Sequence, residues 1–146
     1  MNKHLIITLG LCVFILSGCE KSRLDDEVRQ LCKKDGGVKV YEMAILSPGK
    51  YAKYIRHIPS KENSNSSDEY YYEMETLYLK KGDPEMWKSI FRIVRRSDGK
   101  NMGEFIRYVR RGGDIPGPWH PSSFGCPDIT PHKPDLETSV FHRGDK

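Results

Sequence analysis

The chain has 146 residues, enough for one domain, with a formal net charge of +4 and 30% charged residues. Its one strongly apolar run, Leu5 to Leu16, has about a dozen residues against the roughly 20 that a membrane-spanning helix needs. No later stretch is as apolar, which excludes a helical multi-span membrane protein and leaves one domain behind a targeting segment.

Lys3 and His4 form a short basic flank before that run, and small residues follow it. This is the order of an export signal. The run ends in Leu16-Ser17-Gly18-Cys19. These four residues resemble the lipobox of bacterial lipoproteins. Ser17 and Gly18 are small enough for the backbone to enter a narrow protease site, and Cys19 offers a thiol that can carry a diacylglycerol through a thioether. The resemblance implies that residues 1–18 are a signal peptide and that Cys19 is the lipidation site and first mature residue. Its amine is often acylated as well, palmitate being typical. Two acyl chains anchor a protein stably, at about 0.8 kcal/mol per buried methylene. Glu20 rather than Asp follows the cysteine. In Gram-negative lipoproteins this implies the outer membrane, facing the periplasm.

Ser22 to Lys34 has the pattern of a helix. Ser22 is a suitable N-cap, and Asp25, Asp26 and Glu27 suit the first turns as Lys33 and Lys34 suit the last. Leu24, Val28, Leu31 and Cys32 make one apolar stripe, and Gly36-Gly37 ends the helix. Val38 to Leu46 reads as one strand. Ser47-Pro48 starts a short helix through Tyr54, and the polar stretch 56–68 reads as a loop. Tyr70 to Lys80 is the next strand, broken by Gly82-Asp83-Pro84. Trp87 to Arg96 and Met102 to Arg111 form a hairpin around Asp98-Gly99. A two-residue turn opposes Phe91 to Ile106 but Ile93 to Glu104, so a bulge or a longer loop is the alternative. Gly112 to Pro121 is too rich in proline for a helix or central strand; we expect it to pack Trp119 back on the sheet. Residues 127–146 read as a disordered tail. The fold class expected is α+β, one N-terminal helix packed on a small antiparallel sheet, with the domain at 19–126.

Two cysteines remain in the exported part, Cys32 and Cys126. In an oxidising compartment such a pair reads first as a disulfide. A metal site or a catalytic thiol is the rival, but neither cysteine has a Cys-x-x-Cys neighbour or a His at ligand spacing.

No catalytic, phosphate-loop or metal motif stands out, and no cofactor is expected. His57, His120, His132 and His142 are scattered. The hairpin is the most asymmetric surface: Arg92, Arg95, Arg96, Lys100, Arg107, Arg110 and Arg111 face only Asp98 and Glu104. It is a candidate contact for anionic lipid or an acidic envelope protein, against the plainer reading of a solvated sheet face. Nucleic acid is not expected outside the cytoplasm. Cys32-Lys-Lys-Asp-Gly-Gly-Val-Lys-Val-Tyr-Glu and Gly103-Glu-Phe-Ile-Arg-Tyr are similar to small uncharacterised proteobacterial lipoproteins, a resemblance that implies no activity. The function expected is a non-enzymatic, lipid-anchored binding or accessory module of the envelope. The alternative is an envelope hydrolase with a site near His120, beside Asp114 or another carboxylate.

Overall fold

The computed structural model describes residues 3–115, 117, 119–126 and 135–145, with 3–18 described as helix backbone alone. Helix α1 spans Lys3–Asp35. The apolar run and the amphipathic stretch after it both favour helix, and no proline separates them. Ser22 therefore lies inside one continuous helix rather than capping a new one. The end is as expected: Gly37 takes φ +109°, a conformation that favours glycine.

The main sheet runs β1 (Gly37–Val40), β5 (Lys100–Arg111), β4 (Glu85–Arg95) and β3 (Tyr70–Lys80), every neighbouring pair antiparallel. β6 (Ser123–Gly125) continues the β1 edge of β5. The hairpin resolves to a four-residue loop between Arg95 and Lys100 with a bulge: Ile93 faces Gly103 and Val94 faces Asn101, which leaves Met102 as the extra residue. Its carbonyl accepts the N–H groups of Tyr41 and Glu42 at 2.9 and 3.0 Å. That double contact turns the chain off the sheet edge. The single strand expected over Val38 to Leu46 is thus two: β1 stops at Val40, and β2 (Ala44–Leu46) pairs in parallel with β7 (Phe141–Arg143) in a second sheet.

Each face of the main sheet carries its own core. Leu24, Val28 and Cys32 of α1 pack on Met86, Ile90, Ile106 and Tyr108. The Cys32–Cys126 disulfide lies in this layer, with Cα atoms 5.4 Å apart, within the range that a disulfide spans. On the opposite face, Ile93 and Met102 meet Leu46, Tyr54 and Ile58, together with Leu136, Val140 and Phe141. Helix α2 (Pro48–Arg56) supplies Tyr54. Its ring meets those of Tyr70 and Phe141 at centroid distances of 5.3 and 5.6 Å. Burial of each such side chain contributes about 1.5–3 kcal/mol.

The expected disordered tail is corrected here. Residues 136–140 form helix α3 (Leu136–Val140), which leads into β7. Leu136, Val140 and Phe141 are 8%, 0% and 1% exposed. Three apolar side chains at spacings of four and five residues suffice to dock the segment, although its mean composition is polar. Residues 127–134 lie outside the described residues. Among the described side chains, the buried residues of both cores fall between Leu24 and Phe141, so the chain from Glu20 onward carries residues of both layers.

Candidate binding cleft and the Cys19 end of the sheet

Cys19 is exposed. The residues after it are engaged at once. Glu20 pairs with Lys80 at 3.2 Å and Lys21 with Asp114 at 2.5 Å, and Leu24 is in the core. Asp114 also accepts the backbone N–H and the hydroxyl of Ser122 at 2.5 and 2.7 Å. The Lys21 ammonium first, then Ser122, holds its carboxyl well below the usual carboxylate range. Gly112 and Gly113, both left-handed, turn the chain beneath the end of β5. A Cβ on Gly112 would fall 2.1 Å from Asp83 Oδ1. Asp83 in turn accepts the Gly113 N–H at 2.6 Å.

Beyond this turn Ile115 and Trp119 are 67% and 64% exposed, which corrects the expectation that Trp119 packs on the sheet. Its indole N–H donates to the Ile115 carbonyl at 3.3 Å. Its ring lies over Gly117, where a Cβ would come within 2.3 Å. The Trp therefore folds onto its own loop, with most of the ring in solvent. Tyr78 and Leu79, also exposed, stand at the same end of the sheet, on β3.

The basic hairpin side chains do not form one cationic face. Arg92 pairs with Glu75 at 2.9 Å and approaches Glu104 at 3.6 Å. Arg95 bonds Glu42 and Asp98 at 2.5 and 2.6 Å, and Lys100 joins the same Glu42. Arg96 donates to the Asp68 carbonyl at 2.8 Å and to the Ser64 hydroxyl, and stacks on Tyr71. Arg110 is buried. It binds Asp25 through two nitrogens at 2.8 and 3.2 Å, and it donates to the Gly112 carbonyl and to both oxygens of Ser122. It is a clasp between α1, β5 and the turn after it, not a surface cation. The sequence count missed Glu42 and Glu75, which reach the hairpin from other elements. Three of the seven, Arg96, Arg107 and Arg111, have no carboxylate partner among the described residues, and Arg96 is held by the Asp68 carbonyl and the Ser64 hydroxyl. Position matters as well. β5 has 12 residues, so its Lys100 end lies roughly 35 Å from its Arg111 end, at about 3.3 Å per residue. Cys19 is at the Arg111 end.

A second polar cluster locks the far end of α1. Asp35 accepts from Lys39, Lys88 and Tyr108 at 2.5, 2.7 and 2.9 Å. The hydrogen bond from Lys39, followed by that from Lys88, holds its carboxyl well below the ordinary range.

A cleft of about 470 Å³ opens on the α2 face of the sheet. Val38, Tyr72, Phe91, Ile93 and Phe105 line its floor. Arg56 and His57 stand on the α2 side, Asp135 and Glu137 on the α3 side, and Arg107 on β5. Nε of Arg107 is shielded from water and has no hydrogen-bond partner among the described residues. An orphaned donor of this kind costs about 1–3 kcal/mol. The sequence reading opposed Phe91 to Ile106, whereas the register sets Phe91 against Phe105, so the floor was not legible in the sequence. Nor was the wall formed by Leu136, because it comes from the segment read as a tail.

The histidines stay apart. His57 is at the cleft rim, His120 is exposed beside Trp119, His142 is exposed on β7, and His132 lies outside the described residues. Asp114, the carboxylate expected beside His120 in a hydrolase, is engaged by Lys21 and Ser122 instead. Among the described residues no three His, Cys, Asp or Glu side chains gather as a metal site, and no helix is long and apolar enough to cross a membrane. No protein-family model, curated protein or solved structure matches the chain.

Proposed function

We propose that the protein is a lipid-anchored envelope lipoprotein, a non-enzymatic binding or accessory module held against the bilayer without a stalk. The observation that carries this reading is the position of Cys19. It closes the lipobox-like Leu16-Ser17-Gly18-Cys19, it is exposed, and Glu20 and Lys21 after it are already paired with the domain. A diacylglycerol on its thiol would bring the Arg111 end of the sheet to the headgroups. Replacing Cys19 with Ala is expected to leave an unprocessed precursor and to abolish labelling by a fatty-acid analogue in cells. Normal cleavage with normal labelling would refute the anchor.

With that anchor, we expect the membrane contact beside Cys19 rather than along the whole hairpin. Arg95, Arg96 and Lys100 lie at the far end of the sheet, and Arg110 is buried. Ile115 and Trp119, on the loop tied to Lys21 through Asp114, are beside the anchor. Trp is favoured at the membrane–water interface because its ring is apolar and its N–H polar. The exported chain from Glu20, without lipid, should bind neutral phosphatidylcholine vesicles weakly, with a blue shift of Trp fluorescence and little response to salt. Ile115→Ser with Trp119→Ser should weaken binding about tenfold or more, measured by co-sedimentation, given the area removed. Binding that falls steeply with salt and survives the double substitution would return the contact to the basic residues.

A further inference from the structure

The cleft between the sheet and α2 combines an aromatic floor with one donor that no described residue uses. Phe91, Phe105 and Tyr72 offer apolar surface, and Arg107 Nε lies out of water with no acceptor. The volume, about 470 Å³, falls within the size range of small-molecule sites, which are mostly apolar with a few placed polar groups.

We propose that this cleft binds a single amphipathic monoanion, an apolar chain or ring bearing one carboxylate, with the carboxylate accepting from Arg107. A guanidinium favours a carboxylate because its planar N–H groups match the two oxygens. The other charges on the rim narrow the choice. Asp135 and Glu137 line the cleft along with Arg56 and His57, so a polyanion such as a nucleotide meets carboxylates there as well as cations. A neutral hydrocarbon leaves Arg107 unsatisfied. The ligand must also leave the bilayer. Phe105 stands six residues along β5 from Arg111, about 20 Å from the end that carries Cys19. The occupant is therefore one diffusing amphiphile and not the headgroup of a lipid still in the membrane. The exclusion of a membrane-resident lipid rests on the anchor proposed above; the binding of a monoanion at Arg107 does not.

The test uses the exported chain from Glu20, with its disulfide intact, and decanoate below its micelle concentration, followed by nuclear magnetic resonance. Decanoate should move the Arg107 Nε–H resonance downfield, together with the amides of Phe91, Phe105 and Leu136. Arg107→Gln should weaken decanoate binding about tenfold or more, the loss expected for one charge-assisted contact. The affinity for 1-decanol should stay unchanged, which also verifies that the variant is folded. Arg56→Gln, on the exposed rim, should have a smaller effect. Shifts confined to Ile115 and Trp119, no shifts at all, or equal loss of decanoate and decanol in a folded Arg107→Gln would overturn the proposal. Decanoate held in phosphatidylcholine vesicles, with no free monomer, should leave the Arg107 signal in place. A shift there would assign the site to membrane-resident lipid instead.

Discussion

Replacing Cys32 and Cys126 together by Ala should lower the unfolding free energy by as much as about 4–5 kcal/mol, the chain-entropy value for a loop of this length. The bridge joins residues 94 apart in sequence, so the unfolded chain without it regains the freedom of most of the domain. In the native state it ties α1 to the end of β6, inside the layer formed by Leu24, Val28, Ile90 and Ile106. A domain of this size has a stability of about 5–15 kcal/mol, so the loss is a large share of the whole. Urea unfolding of the chain from Glu20 and of its double variant measures it. A difference below about 1 kcal/mol would mean that the unfolded chain is already restricted, or that the bridge contributes little.

Replacing Arg110 by Ala should cost about 3–5 kcal/mol, the range for breaking a buried ion pair. The side chain is 2% exposed and serves Asp25, the Gly112 carbonyl and both oxygens of Ser122 at once. Its removal takes this donor from the Asp25 carboxylate and the Gly112 carbonyl, while the Ser122 carbonyl keeps the Gly112 N–H. Arg110→Lys should recover little, because one ammonium cannot reach acceptors on three elements. Arg110→Met combined with Asp25→Leu should be more stable than Arg110→Met alone, since no uncompensated charge remains. Urea midpoints and slopes for the set decide the matter. A loss under about 1 kcal/mol for Arg110→Ala would place this arginine with the surface cations that the sequence suggested.

Local patterns carry what depends on near neighbours. The stripe Leu24, Val28, Leu31, Cys32 sets the buried face of α1. Pro48 starts α2, and Asp98-Gly99 marks the hairpin. The expected export signal implies an oxidising destination, where Cys32 and Cys126 read as partners, and the structure joins them. Each of these follows from spacing or from one residue's backbone preference, so the α+β class was legible. Lipidation of Cys19 rests on the sequence alone.

Distant contacts decided the rest. Whether Val38 to Leu46 is one strand or two depends on the Met102 carbonyl, more than fifty residues away. Residues 136–141 are ordered because Leu136, Val140 and Phe141 meet Tyr54 and Ile93, and no local average reveals that. Seven basic residues on one hairpin look alike in sequence. The fold buries Arg110 against Asp25, neutralises Arg95 and Lys100 with Glu42, and leaves Arg107 in a cleft walled by the tail. A side chain's charge is written in the sequence, but its partner and its distance from water are set only when the chain closes on itself.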